Sequence, residues 1–151
     1  MDAFWLALQE SGFGAFVRNS VFLYPAANVL HVLGVMSFFG LVATMDLTLL
    51  GVGERPAKQV IGRLRPFALA LLLLIATTGS VLFVAEAMAI AANPVFQLKV
   101  ALLVLALVNV FVNEWVLRTR GDGASLARIT AFMSLLAWLG VAALGSLIAY
   151  V

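Results

Sequence analysis

The sequence predicts an all-α fold, a bundle of four transmembrane helices preceded by a short segment at the membrane interface. Hydrophobic residues make up 64% of the chain and charged residues only 11%, whereas soluble domains average about 45–50% apolar and about 25% charged. The apolar residues fall into four runs, and each run reaches the ~20 residues that span a bilayer. We therefore expect an interfacial segment over residues 1–20 and a single four-helix transmembrane domain over residues 21–151.

Composition also narrows the classes of function. The chain has no cysteine, which excludes disulfides, thiolate metal sites and cysteine nucleophiles. The net charge of +2 arises from basic residues in short loops between apolar runs, where such residues set membrane topology. We therefore expect membrane lipid, and no nucleic acid, around this protein. The sequence contains no motif of a hydrolase or a nucleotide-binding enzyme, so we expect a protein without catalytic activity.

The interfacial segment, residues 1–20, mixes apolar and charged side chains. Phe4 and Trp5 stand among acidic and polar residues in a pattern typical of an amphipathic helix on the membrane surface. The glycines Gly12 and Gly14 predict a bend or break in that helix. The alternative is a lightly ordered stretch that leads into the first span.

The first two spans are separated by a polar, basic linker. The first span is predicted at Val21–Leu50, and the glycines, charges and proline of residues 51–56 end it. The second span is predicted to begin near Pro66 and to run without charge to Ala85, just before Glu86.

The last two spans have shorter connections. Asn93 and Pro94 form a turn signal, after which the third span is predicted at Val95–Leu117. A short polar loop follows, in which Ser125 is suited to cap the next helix. The fourth span is predicted at Ile129–Val151 and is uncharged.

The distribution of basic residues predicts the orientation in the membrane. Because cytoplasmic loops carry an excess of Lys and Arg, the two basic loops are expected on the cytoplasmic side of a bacterial inner membrane, with both termini outside. His31 then falls in the outer half of the first span and Asp46 near its inner end. The two loops hold seven of the nine Lys and Arg residues: Arg55, Lys58, Arg63, Arg65, Arg118, Arg120 and Arg128.

Two helices carry polar stripes that are candidates for a binding site. Polar side chains within spans face the bundle interior or a cavity, not lipid, so we expect the two stripes to turn toward each other. Charged groups at the span ends are expected to pair, Glu86 with Lys99 and Asp46 with Arg63 or Arg65. The stripes comprise Tyr24, Asn28 and His31 on the first span and Lys99, Asn109 and Asn113 on the third.

His31 is the only histidine and the strongest candidate for a ligand. Neutral imidazole is a common metal and haem ligand, so one hypothesis is axial ligation of haem iron or ligation of copper. Gly34 would leave room for a flat macrocycle or for a close helix. The alternative hypothesis is a buried histidine hydrogen-bonded to Asn109, Asn113 or Tyr24. A second ligand would have to be water, His31 of a neighbouring subunit, or a methionine among Met36, Met45, Met88 and Met133.

Two other features have structural and functional interpretations. Asp46 is interpreted first as a paired charge at the cytoplasmic edge and second as part of a proton relay. The fourth span has a partly small surface that suits close packing, either within the bundle or against another subunit. The small residues are Gly140, Gly145, Ser146 and Ala149.

Several short motifs occur along the chain: Tyr24-Pro25, Leu30-His31-x-x-Gly34, Gly40, Asp46-x-x-Leu49-Leu50-Gly51, Arg63-x-Arg65-Pro66, Thr78-Gly79 and Asn93-Pro94-x-Phe96-x-x-Lys99. Together they resemble a family of small bacterial four-helix membrane proteins of unassigned function. More distantly, the chain is similar to copper-resistance-D-like and membrane cytochrome-b-like bundles. In the haem-binding relatives, inward histidines on several helices hold the iron; here only His31 matches such a position, and Asn109 and Asn113 stand where a third-helix histidine would be expected.

We expect a membrane component that binds a cofactor or small ligand, haem b first and copper second, with a possible link to electron transfer. Its pocket would be formed by His31 with Tyr24, Asn28 and the stripe from Lys99 to Asn113. An alternative is a structural or assembly subunit, in a homo-oligomer or a larger membrane complex. A third alternative is a proton-coupled transporter using Asp46 and Glu86, groups near opposite membrane faces.

Overall fold

The structure, a computed structural model, describes residues 2–150 and confirms the all-α prediction. Within these residues there are α-helices, one terminal 3₁₀ turn at Ile148–Tyr150 and no strand. The helices are α1 (Asp2–Gln9), α2 (Gly12–Asn19), α3 (Leu23–Leu49), α4 (Ala57–Ala85), α5 (Ala87–Ala92), α6 (Pro94–Thr119) and α7 (Ser125–Leu147).

Four of these helices are transmembrane spans. Helices α3, α4, α6 and α7 are 23 to 29 residues long with mean hydropathies of 1.8 to 2.5, which is enough to cross a bilayer. The chain is therefore a multi-pass membrane protein. We call the end that holds α1, α2 and α5 the N-terminal end, and the end that holds the loops 50–56 and 120–124 the basic end.

The start of α4 differs from the sequence prediction. The helix begins at Ala57 with Pro56 at its N-cap, and Pro66 lies inside it instead of at its start. A proline inside a helix removes one backbone hydrogen bond, a defect that neighbouring groups compensate in transmembrane helices. The sequence prediction assigns basic side chains such as Lys58 and Arg63 to the linker. In the structure they extend from the first turns of α4, where both are exposed.

Most other helix ends follow the predicted signals. Gly51 and Gly53 adopt φ values of 93° and 100°, a left-handed conformation that terminates α3. The Asn93 side chain accepts hydrogen bonds from two backbone amides of α6, whose first residue is Pro94. The prediction for Ser125 was wrong by one position, because Ala124 is the N-cap of α7 and no side chain caps this helix.

The bundle consists of two hairpins joined along one edge. Helix α3 packs most extensively on α4, and α6 on α7, while contact between α3 and α7 joins the hairpins. At the centre, Phe38 and Trp138 make an edge-to-face contact with their ring centroids 4.6 Å apart. Helices α4 and α6 meet through long side chains, including a stacked pair of Phe83 and Phe96 at 5.4 Å.

The segment before the spans is helical and packs on the bundle. Arg18 on α2 donates a hydrogen bond of 3.0 Å to the carbonyl oxygen of Ala85, at the end of α4. Gln9 at the end of α1 accepts one of 3.0 Å from the backbone amide of Met88. A break is present between α1 and α2, but it lies at residues 10–11, just before Gly12, and both glycines belong to α2. The alternative of a lightly ordered lead-in does not describe this segment.

Candidate functional site

His31 lies in the N-terminal half of the bundle, in the contact between α3 and α4. Its Nδ1 atom is 3.1 Å from the carbonyl oxygen of Ile75 and 3.0 Å from the hydroxyl oxygen of Thr78. Because a carbonyl oxygen only accepts hydrogen bonds, Nδ1 carries the proton and donates it. The Thr78 hydroxyl itself donates to the carbonyl oxygen of Leu74 at 2.8 Å, which leaves its oxygen free to accept from the ring.

This tautomer leaves Nε2 with a free lone pair. Within residues 2–150, every hydrogen bond of the His31 ring uses Nδ1. The ring is therefore held at one nitrogen by α4, and the other nitrogen is available to a proton donor or a metal ion.

Glycines make this close contact between α3 and α4 possible. A Cβ atom at Gly79 would lie 3.0 Å from Cε1 of His31, and one at Gly34 would lie 3.1 Å from Cγ1 of Ile75. Both distances are shorter than ordinary contacts between heavy atoms. Gly34 was expected to leave room either for a flat macrocycle or for a close helix. In this structure it allows the close approach of a helix, α4.

Lys99 enters the same half of the bundle from α6. Its side chain lies along α7, where a Cβ atom at Gly145 would be 3.1 Å from Nζ. The predicted pairing of Lys99 with Glu86 is wrong for this structure: the ion pairs among the described residues do not include Lys99, and Glu86 is exposed at the N-terminal end.

The other polar residues of α3 do not hydrogen-bond to the His31 ring. Asn28 is exposed on the outside of the bundle. Tyr24 lies at the N-terminal end, where it lines an open pocket of about 260 Å³. The other residues of this pocket are Arg18, Ser20, Val21, Pro25 and Glu86.

The two asparagines in the polar stripe of α6 contact α7 instead of His31. Asn109 donates a hydrogen bond of 3.0 Å to the carbonyl oxygen of Thr130 on α7. Asn113 accepts one of 3.2 Å from the Thr130 hydroxyl. The stripe was expected to face His31 along its length, but α6 packs mainly on α7, so both asparagines bind α7 in the basic half.

Asp46 differs most from the sequence prediction, both in its burial and in its neighbours. It is only 4% exposed, and its carboxyl group lies beside the Ser134 side chain of α7. The predicted partner Arg65 instead pairs with Glu114, which also accepts a 2.6 Å hydrogen bond from Arg118. Asp46 is thus a core residue of the basic half and not a charge at the membrane edge.

The structure also gives the positions of the other candidate metal ligands and of the small residues of α7. Within residues 2–150, no three His, Cys, Asp or Glu side chains are grouped closely enough to hold a metal ion. Met36 and Met133 are exposed on the bundle surface. On α7, a Cβ atom at Gly140 would lie 2.7 Å from Cδ2 of Leu102, so this part of the small surface packs within the bundle, against α6.

Sequence reasoning missed the residues that lie opposite His31 and Asp46. Gly79 opposite His31 and Ser134 opposite Asp46 stand on helices distant in sequence. A signal existed for the first, because the Thr78-Gly79 pair puts a hydroxyl and an open backbone side by side in mid-span.

The chain was compared with family models, with curated proteins and with solved structures. No family model, curated protein or solved structure matches it. The resemblance inferred from the sequence motifs therefore stays a prediction, and the functional proposal rests on the geometry around His31.

Proposed function

We propose that this protein is a membrane component that binds a cofactor or small ligand at Nε2 of His31, haem b first and copper second. The observation that supports it is that the two nitrogens of the imidazole ring differ in their hydrogen bonding. Nδ1 donates to the backbone carbonyl of Ile75 and to Thr78, and Nε2 keeps its lone pair. A ligating histidine usually has this arrangement, because the hydrogen bond fixes the tautomer and the ring orientation.

The scarcity of other ligands favours haem over copper. Haem iron brings four nitrogens of its macrocycle and needs only axial ligands from the protein, so one histidine is sufficient. A copper site usually requires two or three protein side chains. The described residues contain no group of three His, Cys, Asp or Glu that would serve.

Lys99 supports an anionic ligand at this position. Its ammonium group lies in the same half of the bundle and makes no ion pair among residues 2–150. A cation without a partner inside a span is costly, and an anionic group on the ligand, such as a haem propionate, would compensate its charge.

A bound haem would take its second axial ligand from water or from His31 of a second copy. Since each chain has one histidine, ligation by two copies gives one haem per two chains, whereas ligation with water gives one haem per chain. The ratio of haem to chain in purified protein therefore distinguishes a homo-oligomeric site from a site within one chain.

The test is the absorbance spectrum and metal content of protein purified from cells supplied with haem precursor and copper. We expect a Soret band in the natural protein and its loss in His31→Ala. Thr44→Ala is the matched control, because Thr44 is an exposed residue of the same helix and its hydroxyl donates only to the carbonyl oxygen of Gly40, one turn earlier in that helix. Natural protein without a Soret band and without stoichiometric metal would refute the proposal.

The orientation belongs to the same proposal. The basic end, with its loops and the adjoining turns of α4, α6 and α7, contains seven of the nine Lys and Arg residues, which favours a cytoplasmic location for this end in a bacterial inner membrane. His31 and Lys99 then lie in the outer half of the membrane, and ligand would reach them from that side.

A further inference from the structure

The basic half of the bundle contains a buried ionisable group, distant from His31. Asp46 is 4% exposed, and its carboxyl group lies beside the hydroxyl of Ser134 on α7. Its Oδ2 oxygen is buried and has no hydrogen-bond partner among the described residues. A carboxylate in such a place would lose its hydration without compensation, which is costly enough for the group to take up a proton instead.

No cationic side chain compensates this carboxyl group within residues 2–150. Both ion pairs in that part of the chain are made by Glu114, with Arg65 of α4 and with Arg118 of its own helix. None of the remaining charged groups on the surrounding helices pairs with Asp46. These groups are Lys58 and Arg63 on α4 and Arg128 on α7.

We propose that Asp46 is a binding site for a single exchangeable proton in the interior of the bundle. Binding forms an O–H bond on one carboxyl oxygen and gives a neutral acid that hydrogen-bonds to Ser134. Release breaks that O–H bond, returns the proton to water and leaves the carboxylate.

The surroundings favour a proton over a metal cation. A sodium ion inside a membrane is usually held by several oxygens, many of them carbonyls of unwound helices. Here α3 and α7 are continuous through Asp46 and Ser134, so their carbonyls are used within the helices. One carboxyl and one hydroxyl are too few ligands for a metal ion, but they are enough for a proton.

The test is infrared spectroscopy of the full chain in lipid vesicles while the pH is raised. Labelling with carboxyl-¹³C aspartate restricts the signal to Asp2, Asp46 and Asp122, the chain's three aspartates. We expect the C=O stretch of a protonated acid at neutral pH, its loss at alkaline pH, and its absence in Asp46→Asn. Asp122→Asn is the matched control, since Asp122 is exposed in a loop and its removal should leave the band unchanged.

Three results would overturn the proposal. They are persistence of the band in Asp46→Asn, a band that is insensitive to pH throughout the range in which the protein is folded, and removal of the band by sodium at constant pH. Should Asp46→Asn fail to fold, Ser134→Ala keeps the carboxyl group and tests the same site. Loss of its hydrogen bond should shift the band to higher frequency, and an unshifted band would contradict the assignment.

Discussion

At the scale of single residues, the contact between His31 and Gly79 determines how α3 and α4 meet. An imidazole ring is wide, and it fits between two helices only where the facing residue has no side chain. The glycine therefore allows the ring to reach the backbone carbonyl of Ile75, which sets its tautomer. The position of one glycine thus decides which ring nitrogen is available to a ligand.

Replacing this glycine should disturb the site. In Gly79→Ala the new Cβ would lie 3.0 Å from Cε1 of His31. We expect a loss of about 1–3 kcal/mol in the free energy of unfolding, which is typical of an overpacked contact. Reversible unfolding in mixed detergent micelles measures it, and ¹⁵N chemical shifts of the imidazole report whether the ring keeps its tautomer.

The matched control for this prediction is Gly62→Ala on the same helix. A Cβ atom at Gly62 meets nothing within 4 Å, so only the gain in helix propensity remains. That gain is roughly 0.5–1 kcal/mol in water. If both variants changed stability in the same direction and by the same amount, the role assigned to Gly79 would be wrong.

The sequence identifies the buried ionisable residues but not their partners. His31 stands out because a histidine within a span is rare. Asp46 is spaced four and eight residues from Val42 and Phe38, so it shares their helix face, and this periodicity predicts burial better than its nearness to the helix end did. Ser134 and Gly79 became recognisable only once the rotation of each helix about its axis was known.

At the scale of elements, helix ends are predictable where a local signal is strong. The glycines at 51 and 53 and the cap at Asn93 act through their own backbone conformation or side chain, so the sequence alone suffices. The predicted start of the second span near Pro66 was wrong, because a proline can stand at the start of a helix or, in a membrane, within one. Which case applies depends on the groups that surround it.

The faces of α6 illustrate a second limit. Its polar residues were expected to face α3, but Lys99 lies along α7 at Gly145, and Asn109 and Asn113 hydrogen-bond to Thr130 of α7. All three residues therefore lie against α7, the helix on which α6 mainly packs. Helix neighbours are a property of the whole bundle, so one helix pattern does not reveal them.

The contact between α4 and α6 gives a prediction at this scale. Glu114 accepts hydrogen bonds from Arg65 on α4 and from Arg118, and this arrangement ties the two hairpins at the basic end. We expect Glu114→Gln to lower the free energy of unfolding by about 1 kcal/mol, because the group is partly exposed and exposed ion pairs are weak. Unfolding in detergent at low salt measures the loss.

High salt should reduce the difference between Glu114→Gln and the natural protein, since ions screen surface charges. Glu54→Gln is the control, because Glu54 is an exposed loop residue at the same end of the bundle. An equal loss in the two variants would show that Glu114 has no special role in joining the hairpins.

At the scale of the whole molecule, two polar sites lie in opposite halves of the bundle. His31 and Asp46 are 15 residues apart on α3, which corresponds to about 22 Å along the helix. The apolar cluster that includes Phe38, Val42 and Trp138 lies between them. We therefore expect each site to be occupied independently of the other. A result that refutes one of the two proposals leaves the other standing.

The orientation in the membrane decides which side each site faces, and the absence of cysteine makes it directly measurable. Single cysteines at Glu54 and Asp122 mark the two loops of the basic end, and one at Gln97, exposed near the start of α6, marks the N-terminal end. By the positive-inside rule, we expect a membrane-impermeant maleimide to label Gln97→Cys in intact cells. It should label Glu54→Cys and Asp122→Cys only in inverted vesicles. The reverse pattern would place His31 in the cytoplasmic half, and a ligand of the His31 site would then have to arrive from the cytoplasm.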